Sequence, residues 1–399
     1  LLKLPDNTAI ANAVLKDVYY GYRFVTITKQ PQSLTVSPRS GAIFTVEAQG
    51  APPLAYQWLL NGAPIANATN AFLSLTNVDA SRVGTYTVAI TSSAAIATSD
   101  PATLTLSNTV TRLANISTRG VTTGDGANVL IAGFIVNGAN PNQTRQMLIR
   151  VVGPTLGAAP FNVAGVLANP RLEVYSGSSQ VPVLSNDDWG NQTGGATQVT
   201  AIQQAIQRAG AFNFTGPNSA DAAVLVTLPS GPYTVQAKSP VNNPTATGVV
   251  LVEVYDVTAG NAGGPKVANV STRGLVGTGN NILIAGFVVN GGVSRRILIR
   301  GAGPTLTRFG VPGFLVDPQI SLVDQATGAV IRTNDDWASG EDAGVIAQAA
   351  NSTGAFPLNN GSKDSAMILM LPPGAYTVTL RGANNTTGVG ILEVYDVDP

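Results

Sequence analysis

An Asn-Asp-Asp-Trp segment occurs twice, as Asn186-Asp187-Asp188-Trp189 and as Asn334-Asp335-Asp336-Trp337. Adjacent carboxylates on a loop can hold Ca²⁺, a hard cation that takes about six to eight oxygens from carboxylates, amides and backbone carbonyls. Asp187, Asp188, Asp335 and Asp336 are therefore the candidate metal ligands, although their spacing is not that of an EF-hand. The same residues have a structural use, since Asn-Asp can form an Asx-turn or cap a following helix while the Trp fills the end of a sandwich. Arg150 and Arg300 each precede a Gly-Pro turn and could clamp a carboxylate or a sugar, but an Arg ending an apolar strand more often pairs internally, here with Glu253 or Glu393 or a motif aspartate. Glu253 with Asp256, and Glu393 with Asp396, supply carboxylate pairs of the type glycoside hydrolysis needs. Three residues apart on a strand, they point to opposite faces. Lys363 beside Ser362 and Ser365 is a candidate Lys-Ser neighbourhood, and the first copy of that region has Asn218 and Ala220 instead.

Oxygen chemistry is all that remains, because the 399 residues include no His and no Cys. Thiolate nucleophiles, imidazole bases, the usual zinc and haem ligands and disulfides are excluded together. With 22 Lys+Arg against 22 Asp+Glu and no basic run, the chain lacks the concentrated positive field that nucleic acids and anionic membranes require. The longest apolar stretch, Val129 to Val136, is less than half a membrane-spanning helix and reads as a buried strand. Low charge with abundant Gly, Thr and Asn, and a start that is neither Met nor a leader, lead us to expect an exported chain whose signal has been removed.

The elements that position these residues come from a long internal repeat. Ala114-Asn-Ile-Ser-Thr-Arg-Gly120 returns as Ala268-Asn-Val-Ser-Thr-Arg-Gly274, and Asn128 to Gly138 returns as Asn281 to Gly291. The echo continues in order through the Gly-Pro-Thr-Leu, Asn-Asp-Asp-Trp and Gly-Ala-Phe segments, through Tyr233-Thr-Val235 and Tyr376-Thr-Val378, to Glu253-Val-Tyr-Asp-Val257 and Glu393 to Val397. Spacing between partners shrinks only between matched blocks, which makes the blocks framework and the intervals loops. Two domains are expected at 110–258 and 266–399, joined by a Gly-rich linker at 259–265. Each reads as short β-strands plus one helix, with Ile202, Ala205, Ile206 and Ala209 at helical spacing in the first and Ala343, Ile346, Ala347 and Ala350 in the second. Val249 to Val257 is apolar on both faces, as an inner strand would be.

Residues 28–108 resemble a bacterial immunoglobulin-like domain, on Gln30-Pro-Gln-Ser-Leu-Thr-Val36, Tyr56-Gln-Trp58 with Asn61-Gly62, and Gly84-Thr-Tyr86-Thr-Val88. The resemblance makes Trp58 the buried tryptophan of the third strand and Tyr86 the tyrosine-corner residue, with Val46 and Val88 where antibody domains place two cysteines. Arg82 stands where an acidic residue is usual, which puts that corner's local pairing in question. Residues 1–27 belong to no repeat and hold Tyr19, Tyr20, Tyr22 and Phe24. Rings left in water forgo roughly 1.5–3 kcal/mol each, so the segment is expected to pack, either as an extra strand on its own chain or as a donor strand on a neighbour.

The two repeats resemble a module that recurs beside immunoglobulin-like domains in large secreted proteins of environmental bacteria, and their Leu-Pro-x-Gly-x-Tyr-Thr-Val is similar to the closing strands of pre-peptidase C-terminal domains. That resemblance implies β-sandwiches, with calcium on Asp187, Asp188, Asp335 and Asp336 in the pre-peptidase manner. Taken together, the expectation is an all-β chain of three tandem β-sandwiches, one immunoglobulin-like and two homologous and jelly-roll-like, each of the latter with one short helix. The expected role is a non-catalytic structural subunit of a cell-surface assembly or extracellular filament, self-associating through Tyr20, Tyr22 and Phe24. The alternative is a calcium-dependent adhesin module that binds a surface glycan or protein.

Overall fold

The computed structural model describes residues 24–108, 111–126, 128–138, 140, 142–258, 266–340 and 342–397. They divide into two compact units, one ending at Thr109 and one running from Val110 to Val397.

In the first unit, Gly84–Thr91 pairs with Ala55–Leu60 on one edge and Ala102–Leu106 on the other, and Leu34–Val36 joins the latter in parallel. Ala42–Thr45 pairs with Phe72–Leu75 on the opposing layer. Thr26–Lys29 forms a strand paired with Glu47–Gln49. Val46, Trp58, Tyr86 and Val88 are all buried between the layers. Phe44 stacks on Tyr86 with centroids 4.7 Å apart and tilts toward Trp58 at 6.0 Å, while the indole N–H of Trp58 donates to the Asn70 carbonyl. The hydroxyl of Tyr86 donates to the backbone carbonyl of Arg82 at 2.7 Å. That bond needs no particular side chain at position 82, so the corner forms without an acidic residue there. Gly84 adopts φ +155°, where any Cβ would also meet Asn61 at 2.6 Å.

In the second unit each repeat folds into eight strands. The first has β1 (Arg112–Thr123), β2 (Leu130–Asn137), β3 (Thr144–Val152), β4 (Arg171–Ser176), β5 (Leu184–Asn186), β6 (Ala222–Pro229), β7 (Gly231–Lys238) and β8 (Thr247–Asp256). The second has β9 (Lys266–Val276), β10 (Leu283–Asn290), β11 (Arg295–Ala302), β12 (Pro318–Asp324), β13 (Val330–Asn334), β14 (Ser365–Leu371), β15 (Gly374–Gly382) and β16 (Gly388–Asp396). Helix α1 (Gly195–Ala209) lies between β5 and β6, and α2 (Ala343–Thr353) between β13 and β14. Within the first repeat the pairings β1-β8-β3-β6 and β2-β7-β4-β5 define the two sheets of a jelly roll. The second repeat has the same order.

The repeats are not two separately packed domains, as their linker suggests. β1 pairs antiparallel with β10 and β2 with β9, so each sheet runs on from one jelly roll into the other. Both seams shift register at the same motif, Ala114-Asn115 in one and Ala268-Asn269 in the other. Leu130 and Leu283 meet over Gly120 and Gly274 at the join, where a Cβ on either glycine would come within about 3 Å of a leucine methyl. One apolar core therefore spans both repeats. Strand alternation records which face is buried and says nothing about which neighbour lies alongside, so the join is invisible in either repeat alone.

The three sandwiches share one device. Tyr233 donates to the Pro229 carbonyl at 2.9 Å and Tyr376 to the Pro372 carbonyl at 2.7 Å, each four residues back, as Tyr86 does to Arg82. Tyr233 and Tyr376 each stack on the Phe opposite them on the paired strand, Phe134 at 5.5 Å and Phe287 at 5.4 Å.

Candidate functional site

Arg150 on β3 lies directly opposite Glu253 on β8, and Arg300 on β11 opposite Glu393 on β16. Alternation turns these side chains away from the sandwich core, toward a third layer in which Leu148, Val152 and Tyr255 pack against Ile202, Ala205 and Ile206 of α1. Arg150 Nη2 is 2.8 Å from Glu253 Oε2, and its Nη1 donates to the Phe212 carbonyl at 2.7 Å. The rings of Phe212 and Phe214 lie 4.4 and 4.5 Å from the guanidinium carbon. The Tyr255 hydroxyl donates to Glu253 Oε1 at 2.6 Å. Burial pushes the Glu253 carboxyl above its ordinary value, and the Arg150 charge and the Tyr255 hydrogen bond draw it back only in part. Arg300 repeats the arrangement with Glu393 Oε2 at 3.2 Å, the Phe356 carbonyl at 2.8 Å and Tyr395 on Glu393 at 2.8 Å. Both arginines are fully buried, so the internal pairing expected of them holds and neither can clamp an external ligand. Asp256 and Asp396 lie on the other face, held by Arg145 and Arg295. The two carboxylates of each pair therefore never converge on one substrate.

A second buried anion was missed at the level of sequence. Asp221 Oδ1 accepts the amides of Gly153 at 2.8 Å and Thr155 at 3.3 Å, while Oδ2 accepts the hydroxyls of Thr155 and Ser219. Asp364 does the same with Gly303, Thr305 and Ser362. The signal was present as Ser219-Ala-Asp221 and Ser362-Lys-Asp364, short enough to pass for turn residues. Ser362 thus donates to a carboxylate, and Lys363 Nζ pairs with Asp336 at 2.9 Å, which occupies the Lys-Ser pair otherwise than in catalysis.

The Asn-Asp-Asp-Trp segment closes the outer edge of each jelly roll. Asn186 Oδ1 accepts the amide of Ala223 on edge strand β6 at 2.9 Å, and Asn334 Oδ1 accepts that of Ala366 on β14 at 2.8 Å. Trp189 and Trp337 donate their backbone amides to the Asp221 and Asp364 carbonyls and their indole N–H groups to the Gly216 and Asn359 carbonyls. Gln192 and Gln198 donate to the Ala223 and Leu225 carbonyls, and Arg332 to that of Ile368. The edge backbone is thereby occupied by side chains. Asp187 is pushed above the ordinary carboxylate value by burial and then by Asp188, and Asp317 by burial and then by Asp335. Among the described residues no group of three or more acidic side chains is gathered so as to hold a metal ion. In the second repeat Lys363 already supplies a cation to Asp336, whereas the first repeat has Ala220 in that place.

No family model matches the chain. A 94-residue stretch, 23% of this chain, is 31% identical to the highly immunogenic outer capsid protein of Enterobacteria phage T4 and spans 24% of that protein. Among solved structures, titin domain M7 is 29% identical, with 21% of this chain and 94% of that one covered at a TM-score of 0.20. The N-terminal Ig1-2 module of the Drosophila receptor protein tyrosine phosphatase DLAR is 20% identical, with 21% and 46% covered at a TM-score of 0.20. The first unit is an immunoglobulin-like β-sandwich.

Of the residues expected to mediate assembly, Tyr20 and Tyr22 lie outside the described residues, and Phe24 is 74% exposed just before the first strand. One further cluster is confined to the first repeat. Glu173 pairs with Arg171 and, at 2.7 Å, with Lys238, while Tyr175 donates to it and Arg171 reaches Asp125 at 2.7 Å. The matching positions of the second repeat are Gln319, Ser321, Val323 and Arg381. Among the described residues no helix is long and apolar enough to cross a membrane.

Proposed function

We propose that this chain is a non-catalytic structural protein of an extracellular or cell-surface assembly, built by strand-edge pairing. The observation that carries the reading is the join between the repeats: two copies of one jelly roll unite along two edges, in both sheets, into a single core. That join is the contact a filament or coat subunit makes with its neighbour, here made within one chain. The outer edges at β6 and β14 are occupied by Asn186, Gln192, Gln198, Asn334 and Arg332, which disfavours growth there. The aromatic segment through Tyr20, Tyr22 and Phe24 is the element of further growth in this reading. The partial similarity to an outer capsid protein of phage T4 supports a surface role for this chain.

The calcium-dependent binding module stands as the second reading, favoured by a buried Asp187 oxygen that lacks a hydrogen-bond partner. One experiment separates the two. The full chain and a chain lacking residues 1–23, which retains the strand Thr26–Lys29, are imaged by negative stain and melted with calcium and with chelator. Assemblies present in the full chain and absent from the truncated one, with melts indifferent to calcium, are expected. A truncated chain that assembles normally overturns the first reading. A midpoint raised by calcium, as linkage requires of a ligand bound only when folded, supports the second.

A further inference from the structure

We propose that the cleft at the join of the two jelly rolls binds an acidic saccharide, with Arg119 as its anchor. The cleft has a volume of about 750 Å³, within the range of small-molecule sites. Arg119 and Val121 of β1 form its floor, on the outer face of the sheet, flanked by Leu251 of β8 and Ile284 of β10. One wall is the first repeat's loop 161–165 and the other is Asn280 and Asn281 of the second repeat, so the site exists only because the repeats are joined.

Arg119 is the sole charged residue in the lining. Its Nε is buried without a hydrogen-bond partner, and no carboxylate among the described residues pairs with it. Arg150, Arg171, Arg295 and Arg300 each hold one. A partly desolvated guanidinium with no anion nearby is costly unless a ligand supplies the anion, and its planar fork matches a carboxylate. The remaining polar side chains are the amides of Asn162, Asn280 and Asn281 and the hydroxyl of Thr247, each able to donate and accept as sugar hydroxyls do. Phe161, 40% exposed and backed by Phe212 at 4.7 Å, offers a ring face at the rim for the apolar side of a pyranose. Carboxylate, hydroxyls and a flat apolar face together describe a uronic-acid sugar better than an acidic peptide, which would bring no flat apolar face to the ring.

The loop wall is held in place before any ligand arrives. Val249 donates to the Gly165 carbonyl at 2.8 Å and accepts from the Leu167 amide at 3.0 Å. Gly248 permits this approach, since a Cβ there would lie 2.4 Å from the Leu167 nitrogen. A prearranged wall lowers the ordering cost of binding. In the sequence repeat Arg273 corresponds to Arg119, but the residue that corresponds to Asn280 is an alanine, at position 127.

The test is calorimetric titration of the full chain with tetragalacturonate, with a neutral galactose tetramer and a poly-aspartate peptide as the other arms. Binding of the uronate alone is expected, weakened at least about tenfold by Arg119→Gln, the loss of a charged hydrogen bond. Arg119→Lys should retain part of it, Asn281→Ala should weaken it a few-fold, and Arg273→Gln should leave it unchanged. Absence of uronate binding, equal binding of the neutral tetramer, tighter binding of poly-aspartate, or an equal loss from Arg273→Gln would overturn the assignment.

Discussion

The immunoglobulin-like unit and the jelly-roll unit close their sandwiches with the same corner but fill the space around it differently. In the first, the described core is apolar and aromatic, built on Phe44, Trp58 and Tyr86, and the one ion pair found among its described residues, Lys29 with Glu47, is exposed. In the second, a helix and a Phe-bearing loop cover the outer face of a sheet, and beneath them lie Arg150 with Glu253 and Arg300 with Glu393. A two-layer sandwich leaves its outer faces in water, where charges need no partner. A third layer removes that face from water, so any charge placed there has to be matched inside the protein. The cost is met by one arginine that joins both neighbouring strands to the loop above them.

The largest test of this contrast removes the arginine. Arg150→Ala leaves Glu253 buried without its cation and should cost about 3–5 kcal/mol, with Arg300→Ala similar. Hydrogen exchange followed peptide by peptide should show the loss in the jelly-roll unit and leave residues 24–108 unchanged. The double replacement Arg150→Met with Glu253→Leu should cost much less, because both charges leave together. A single replacement as mild as the double would mean the ion pair does not hold the third layer.

A smaller effect probes what the units share. Tyr86→Phe, Tyr233→Phe and Tyr376→Phe each delete one hydroxyl bond to a backbone carbonyl four residues earlier, and each should cost about 1 kcal/mol. Burial raises all three phenols, Tyr376 up to about 12, so each stays a donor through the neutral range. Near-equal losses in urea melts would show that the corner is one device used three times. A loss confined to Tyr86 would restrict it to the immunoglobulin-like unit.

Much of this was legible in residues alone, and what was not has physical reasons. Ile202, Ala205 and Ile206 were expected to face inward on a helix and do. In the second repeat Ile346 and Ala350 do likewise, but Ala349 is buried where Ala347 was expected, because an alanine-rich helix has no strong apolar stripe to fix its rotation. The Arg150 to Glu253 pairing followed from a charge at the end of an apolar strand. Asp221 escaped notice because an acid before a strand looks like any turn residue until its acceptor oxygens are seen to meet four donors. Edge closure by Asn186 was hidden in the same way, since an amide that caps a strand and one that ligates calcium have the same sequence.

The smallest expected effect separates the two repeats from each other. Burial alone would raise the Glu173 carboxyl, but hydrogen bonds from Lys238 and Tyr175 and the charges of Arg171 and Lys238 outweigh it and hold its pKa below the ordinary value. A carboxyl lowered on folding contributes stability that is present above its unfolded pKa and is lost as pH falls through the folded one. Lys238 is raised on balance by the same partners, despite burial, so its share is complete below the ordinary lysine value and fades as pH rises through the folded one. The cluster therefore contributes most across the neutral range and declines at both ends. Glu173→Gln should cost about 1 kcal/mol near neutrality, because the glutamine keeps part of the hydrogen bonding, and the gap from wild type should narrow in acid. Ser321→Ala, at the equivalent place in the second repeat, should give no such pH dependence in parallel melts. If the Glu173→Gln gap stays constant into acid, the cluster acts through packing, and the two repeats differ in shape rather than in charge.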